Sequence, residues 1–142
     1  MAKTVAVVLA AGEGKRMKSI LPKALHLVCG KTMLDHVLAA AREVSSYQVV
    51  VVGHGAKQVK SYLGSSVQYA LQQEQLGTGH AVLQALPHLT ADGLVVILCG
   101  DTALITAETM AAMKAYHQGQ NAGVTVLTAQ VKNPTGYGRI IR

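Results

Sequence analysis

Apolar positions along this chain alternate between short continuous runs and longer amphipathic segments. The Val-rich runs at Thr4–Ala11, Gln48–Gly53, Val67–Leu71, Leu94–Cys99 and Gly123–Val131 have the length of buried strands, and each ends in Gly or polar residues. Segments of helical period lie between them. In Thr32–Val44, Met33, Leu34, Val37, Leu38, Ala41 and Val44 share one face, and Thr32 and Asp35 stand at the spacing of a capping box. Ala56–Leu63 reads as a short helix closed by Gly64, and Thr78–Leu86 as one capped at Thr78 and stopped by Pro87. Thr106–Gln118 begins at a Thr cap and ends at Gly119. Strand and helix in strict alternation predict an α/β domain: an open, mostly parallel sheet with helices on both faces. The tail at Gly136-Tyr137-Gly138-Arg139-Ile140-Ile141-Arg142 reads as a turn entering one more strand, so the chain is expected to be part of something longer.

Composition agrees with a parallel sheet. Half of the 142 residues are apolar, with five Tyr but no Phe and no Trp, and aliphatic cores of this kind suit strands buried on both faces. The length is that of one domain. No apolar stretch approaches the roughly 18–20 residues that span a bilayer. Lys3, the run Val5–Ala11 and Ala10-Ala11-Gly12 mimic a short signal peptide, but a basic glycine loop follows, and a cytoplasmic location is expected. Cys29 and Cys99 have no metal-ligand spacing and are expected to be buried free thiols.

Charge narrows the partner. The whole chain carries +6, and Lys3, Lys15, Arg16, Lys18, Lys23 and Lys31 against Glu13 alone concentrate +5 in the first fifth. Such a patch selects an anion: nucleic acid, a membrane surface or a small polyphosphate. The lack of Phe and Trp as stacking platforms argues against single-stranded nucleic acid. The glycines among these charges argue for a polyphosphate. Gly12 and Gly14 let backbone N–H groups approach a phosphate, while Arg16 and Lys23 supply fixed charge. In an open α/β sheet, this loop at the end of the first strand is where a ligand belongs.

Two common phosphate motifs are excluded. The dinucleotide fingerprint requires Gly where Met17 stands, and a P-loop ending in Gly30-Lys31-Thr32 requires Gly where Leu25 stands. Gly30-Lys31-Thr32 is expected to lead into a helix instead. Asp101 is the only acid at the end of an apolar strand, a place for a Mg²⁺ ligand or for an ordinary turn Asp. Gln72–Thr78 has two readings of its own, a binding segment or a polar loop before a helix. The six histidines show no ligand spacing, and Met110 and Met113 read as packing.

Three blocks carry a resemblance. Leu9-Ala10-Ala11-Gly12-x-Gly14-x-Arg16-Met17 followed by Pro22-Lys23, Gln72-Gln73-Glu74-Gln75-Leu76-Gly77-Thr78-Gly79-His80-Ala81, and Gly136-Tyr137-Gly138-Arg139-Ile140 together resemble the sugar-nucleotide pyrophosphorylases. Within that family they are similar to the bacterial N-acetylglucosamine-1-phosphate uridylyltransferases, over the whole chain. The resemblance implies a Rossmann-like fold of the nucleotide-diphospho-sugar transferase type, with residues 1–142 forming the nucleotide-binding part. It implies nucleotide contacts from Leu9, Ala10, Ala11, Gly12, Gly14, Cys99 and Gly100, and reading of the uracil ring by Gln72, Gly77 and Thr78. Arg16 and Lys23 would hold the triphosphate, Asp101 would bind Mg²⁺ and Gly136 would contact the sugar. The implied reaction joins UTP to N-acetylglucosamine 1-phosphate, giving pyrophosphate and UDP-N-acetylglucosamine, a cell-wall and lipopolysaccharide precursor. Neither nucleic acid nor membrane is an expected partner. Full-length family members trimerise through an acetyltransferase β-helix that these residues do not include. Lys15 stands where the family usually has Thr, and Cys99 where many members have Tyr. The remaining readings are another sugar-phosphate nucleotidyltransferase and a nucleotide-binding module without catalysis.

Overall fold

A computed structural model of the chain describes residues 3–138, 140 and 141. Four parallel strands form the main sheet: β1 (Thr4–Ala10), β4 (Tyr47–Val52), β5 (Gln68–Leu71) and β6 (Leu94–Cys99). A two-residue hairpin of β2 (Leu27–Val28) and β3 (Lys31–Thr32) stands apart from it. The helices are α1 (Met33–Arg42), α2 (Ala56–Leu63), α3 (Thr78–Leu83) and α4 (Ala107–Gly119). The sheet order is β5-β4-β1-β6, with Val7 of β1 level with Val49 of β4 and Ile97 of β6. The chain thus winds outward through β4 and β5, then crosses back to place β6 on the far side of β1.

β1 is covered on both faces, which is why its sequence is continuously apolar rather than alternating. Ala6, Val8 and Ala10 pack with Val50, Val52 and Leu98 under Leu34 and Leu38 of α1, Val59 of α2 and Met110 of α4. Val5 and Val7 face the other way, with Val49, Val51 and Ala70, under Ala81 and Ala85 from α3 and the turn after it. Reversing the winding direction moves the crossover helix to the opposite face, as right-handed connections require.

Local chemistry sets the helix ends. Thr32 Oγ1 accepts from Asp35 N (3.0 Å) and Asp35 Oδ2 from Thr32 N (3.2 Å), the reciprocal cap expected from the spacing. Thr106 Oγ1 accepts from Thr109 N at the start of α4. At α3 the cap position belongs to Gly77, and Thr78 is the first helical residue with no capping bond from its side chain, contrary to expectation. The same helix ends at Leu83. A turn of 3-10 helix over Leu86–His88 then accommodates Pro87, whose missing N–H and ring a short turn tolerates in its first positions.

Three further expectations are corrected. Gly123–Val131 forms no strand: Val124, Val126, Leu127 and Val131 are exposed, and Thr125 Oγ1 lies 2.9 Å from His117 Nδ1 of α4. An alternating pattern makes a strand only where a neighbour supplies the ladder, and the free edge of β6 does not pair with this segment. The strand expected in the tail is likewise absent among the described residues, Arg139 and Arg142 lying outside them. Both thiols are exposed. Cys29 sits in the β2–β3 turn with φ +50°, and Cys99 stands at the mouth of the cleft described next. No helix among the described residues is long and apolar enough to cross a membrane.

Candidate functional site

The sheet order reverses at β1, with β4 on one side and β6 on the other, and a crevice opens beyond the carboxyl ends at such a reversal. A cleft of about 500 Å³ occupies that place. One wall is the segment Leu9–Lys15 leaving β1, a second is Cys99 and Asp101 leaving β6, and a third is Gln72, Gln75, Gly77 and Thr78 between β5 and α3. Lys23 and Ala24 close the fourth side.

The glycine loop is shaped by its own backbone. Gly14 takes φ +62° to enter a turn of 3-10 helix at Lys15–Met17, and Met17 N donates to Gly14 O (2.8 Å). A Cβ at Gly14 would meet Lys23 Cβ at 2.8 Å, so Gly is required by close approach as well as by dihedral angle. A Cβ at Gly12 would meet nothing within 4 Å, because the space in front of it is open. Gly100 has a different role. Its N–H donates to Leu9 O (2.8 Å), and a Cβ there would lie 2.9 Å from the same oxygen, so this glycine holds β6 against β1.

Charge meets at the cleft from both ends of the chain's first hundred residues. Lys23 follows the buried Pro22, whose carbonyl accepts from Leu25 N to form a second 3-10 turn. That turn aims Lys23 Nζ at Asp101 Oδ2, 2.5 Å away and 78 residues along the chain. Lys15 Nζ pairs with Glu13 Oε2 at 2.9 Å. The Lys15 ammonium, through that hydrogen bond and its charge, holds the Glu13 carboxyl below its ordinary range, with His54 adding a little. Burial pushes the Cys99 thiol up, Asp101 adds to the rise and Lys23 opposes it.

Gln72 is the most buried polar side chain on the cleft, at 4% exposure. Its backbone N–H extends the β4–β5 ladder by donating to Val52 O (2.8 Å), and its side-chain Nε2 donates to Gly77 O (3.1 Å). Among the expected residues, Leu9, Ala10, Ala11, Gly12, Gly14, Lys23, Gln72, Gly77, Thr78, Cys99 and Asp101 line one cleft. Arg16 is exposed on the adjoining turn and outside this lining, and the buried Gly100 is also outside it. Gly136 lies in an exposed turn and is not brought to the cleft. Sequence reasoning missed Glu13, Lys15, Ala24, Gln75 and Ala81 as lining residues. Lys15 was legible as charge next to the loop. Nothing in spacing separates Gln75 from Gln73, which does not line the cleft. Among the described residues no group of three or more His, Cys, Asp or Glu side chains is placed to hold a metal ion by itself.

A parallel sheet with a glycine loop, a lysine and a carboxylate at its reversal point defines a class of α/β domain built to accept a nucleotide's phosphates. The chain belongs to the family of MobA-like NTP transferase domains, whose model matches residues 6–141. It is similar to the bifunctional protein GlmU of Bacillus licheniformis, 58% identical over 144 aligned positions that take in 100% of this chain and 32% of that protein. The chain thus spans about a third of the length of the curated relatives it matches. Solved structures agree on the fold. Rv0371c from Mycobacterium tuberculosis H37Rv superposes with a TM-score of 0.72 at 20% identity, over 83% of this chain and 62% of that one. A complex of Rv0371c with manganese gives 0.69, also at 20% identity, over 83% and 61%.

Proposed function

We propose that the cleft binds UTP and that the chain is the nucleotide-binding part of an enzyme transferring uridylyl groups to N-acetylglucosamine 1-phosphate. The observation that carries this reading is the meeting of Lys23 and Asp101 beside the Gly12–Gly14 loop. The arrangement offers a triphosphate backbone donors and two lysine–carboxylate pairs, Lys23 with Asp101 and Lys15 with Glu13, within a single cleft. The 58% identity to a bifunctional GlmU protein supports the same reading.

In the proposed reaction a phosphate oxygen of the sugar phosphate attacks the α-phosphorus of UTP in line. The bond from that phosphorus to the β-phosphate's bridging oxygen breaks, and pyrophosphate leaves with the electron pair. The substrate brings its own nucleophile, so the protein's work is positioning and charge neutralisation. Lys23 follows the departing pyrophosphate as a point charge, and Arg16, on the exposed turn beyond Lys15, adds charge from outside the cleft. Leu9–Gly12 line the nucleotide at the end of β1, with the loop backbone beyond Ala10 free of the sheet ladder, and Gly100 keeps β6 close enough for Asp101 to reach the same phosphates. Gln72, Gly77 and Thr78 read the base at the opposite wall.

A divalent cation fits the donor chemistry in one way only. Asp101 and Glu13 are the carboxylates lining the cleft, each paired with a lysine, so an ion held by Asp101 would take most of its ligands from phosphate oxygens and water, as Mg²⁺ prefers. When bound, the ion would neutralise charge on the triphosphate. The manganese found with Rv0371c is consistent with divalent-metal use.

A second reading is favoured by the position of Gly136: the residue expected to contact the sugar lies outside the cleft lining, as in a module that binds the nucleotide without turnover. Incubation with UTP, Mg²⁺ and N-acetylglucosamine 1-phosphate, read as pyrophosphate release, separates the two. Release supports transfer, and binding of UTP without release supports the module. Release with other sugar phosphates and none with this one would point to a different transferase.

A further inference from the structure

His80 lies in α3 and behind the cleft wall, outside the lining residues, and the reaction described above makes no use of it. It is half-buried, and both ring nitrogens are engaged: Nδ1 lies 3.1 Å from Gln72 Nε2, and Nε2 lies 3.1 Å from the side-chain amide of Gln84. Gln72 Nε2 therefore faces two groups, Gly77 O and His80 Nδ1, both at 3.1 Å. A primary amide has two N–H donors on nitrogen and acceptor lone pairs on oxygen. Turning the Gln72 amide over would set its oxygen against the Gly77 carbonyl oxygen, two acceptors at hydrogen-bond distance. The nitrogen must therefore face inward, with one N–H on Gly77 O and the other on an unprotonated Nδ1.

This orientation has consequences on both sides of the ring. A neutral imidazole has one acceptor and one donor, so with Nδ1 accepting, Nε2 carries the proton. Gln84 meets the same limit, its nitrogen lying 3.1 Å from both Nε2 and the His80 carbonyl oxygen, so one of the two amides must turn. Gln72 is buried and Gln84 only half-buried, and the Gln84 amide is the one that turns its oxygen to Nε2–H. On the cleft side both donors of Gln72 are spent. Its Oε1 accepts no hydrogen bond among the described residues and is not one of the buried polar atoms cut off from a partner, so it keeps access to solvent on a side chain that lines the cleft. Gln72 is thus presented as a fixed acceptor. A base offering an N–H at that edge, as uracil does at N3, is matched. A base offering a lone pair there, as cytosine does, is repelled.

We propose that His80 is a positioning residue for base selection, holding the Gln72 amide so that only its oxygen faces the base. The inference rests on the reading of the cleft as a nucleotide site. Without His80 the second N–H of Gln72 loses its partner and Gly77 O is left as the amide's single anchor, so turning the amide toward a base with an acceptor edge costs one hydrogen bond fewer.

The test is calorimetric titration of the chain with UTP, CTP and inorganic triphosphate, using wild type, His80→Ala and His80→Asn, with circular dichroism confirming that each variant is folded. Asn is the conservative substitution because its side-chain oxygen falls near the position of Nδ1. His80→Ala is expected to lower the preference for UTP over CTP by about tenfold, the size of one net hydrogen bond, with triphosphate affinity within twofold of wild type. His80→Asn is expected to restore most of the preference. A role confined to packing would weaken all three ligands together in both variants. An equal loss of that kind, an unchanged preference in His80→Ala, or no recovery in His80→Asn overturns the proposal while leaving the nucleotide site standing. A wild-type chain that binds triphosphate but no nucleotide preferentially, or binds nothing, overturns the underlying reading as well.

Discussion

Replacing Lys23 by Met removes the ammonium and keeps the length of the side chain, and its effects on metal and on nucleotide should have opposite signs. Lys23 Nζ stands 2.5 Å from Asp101 Oδ2, and the two side chains are 36% and 37% exposed. Solvent screens a pair this open, and its contribution to stability is about 0.2–1 kcal/mol. That energy also opposes any cation that must displace Lys23 from Asp101. Removing it should therefore tighten Mn²⁺ binding to the nucleotide-free chain by about 1.5- to 5-fold. UTP should respond the other way. Loss of a charged hydrogen bond to phosphate is worth about 1.5–3 kcal/mol, on the order of 10- to 100-fold in affinity. Both constants are accessible to calorimetry, or to the paramagnetic signal of free Mn²⁺, with Asp101→Asn defining the metal affinity left without the carboxylate. Mn²⁺ binding unchanged or weakened in Lys23→Met would refute competition for Asp101. UTP binding unchanged would refute the phosphate role of Lys23.

Other perturbations test the scaffold. Gly14→Ala forces a side chain into φ +62° and sets its Cβ against Lys23 Cβ, and should cost about 1–3 kcal/mol in urea denaturation. Burial alone would raise Asp35, but hydrogen bonds from Tyr62 Oη and from the Thr32 side chain and backbone outweigh it and hold the carboxyl below its ordinary value. With the folded group depressed relative to about 3.9 in the unfolded chain, its contribution is present in full above that pH. It is lost as pH falls through the folded value, so Asp35→Asn should flatten the acid limb of the stability profile and leave little further loss there.

Most of the scaffold was legible because its physics is local. β1, β4, β5 and β6 appear within a residue or two of their Val-rich runs, and Thr32 with Asp35 marked the start of α1. What failed depended on distant partners. Gly123–Val131 has the alternation of a strand, but alternation cannot say whether a neighbouring edge will accept it. Cys99 ends an apolar run and was expected inside, yet β6 is an edge strand whose last residue opens on the cleft. In the site, Lys23 and Asp101 were each identifiable from their segments, whereas their pairing across 78 residues is a product of strand order. Gln75 and His80 carried no separate signal. One sits in a loop among similar polar residues, and the other acts from behind the wall through the amide of Gln72.

The central claim is that the cleft at the reversal of the sheet is a UTP site. Titration of the chain with UTP in the presence of Mg²⁺ tests it most directly, with Gln72→Leu as the companion, since Gln72 lies on the wall proposed to read the base and hydrogen-bonds none of the charged residues. The account predicts one saturable site per chain, and a UTP affinity reduced about tenfold or more in Gln72→Leu while inorganic triphosphate still binds. Absence of saturable binding, or UTP affinity that is the same in Gln72→Leu as in the unaltered chain, would contradict it.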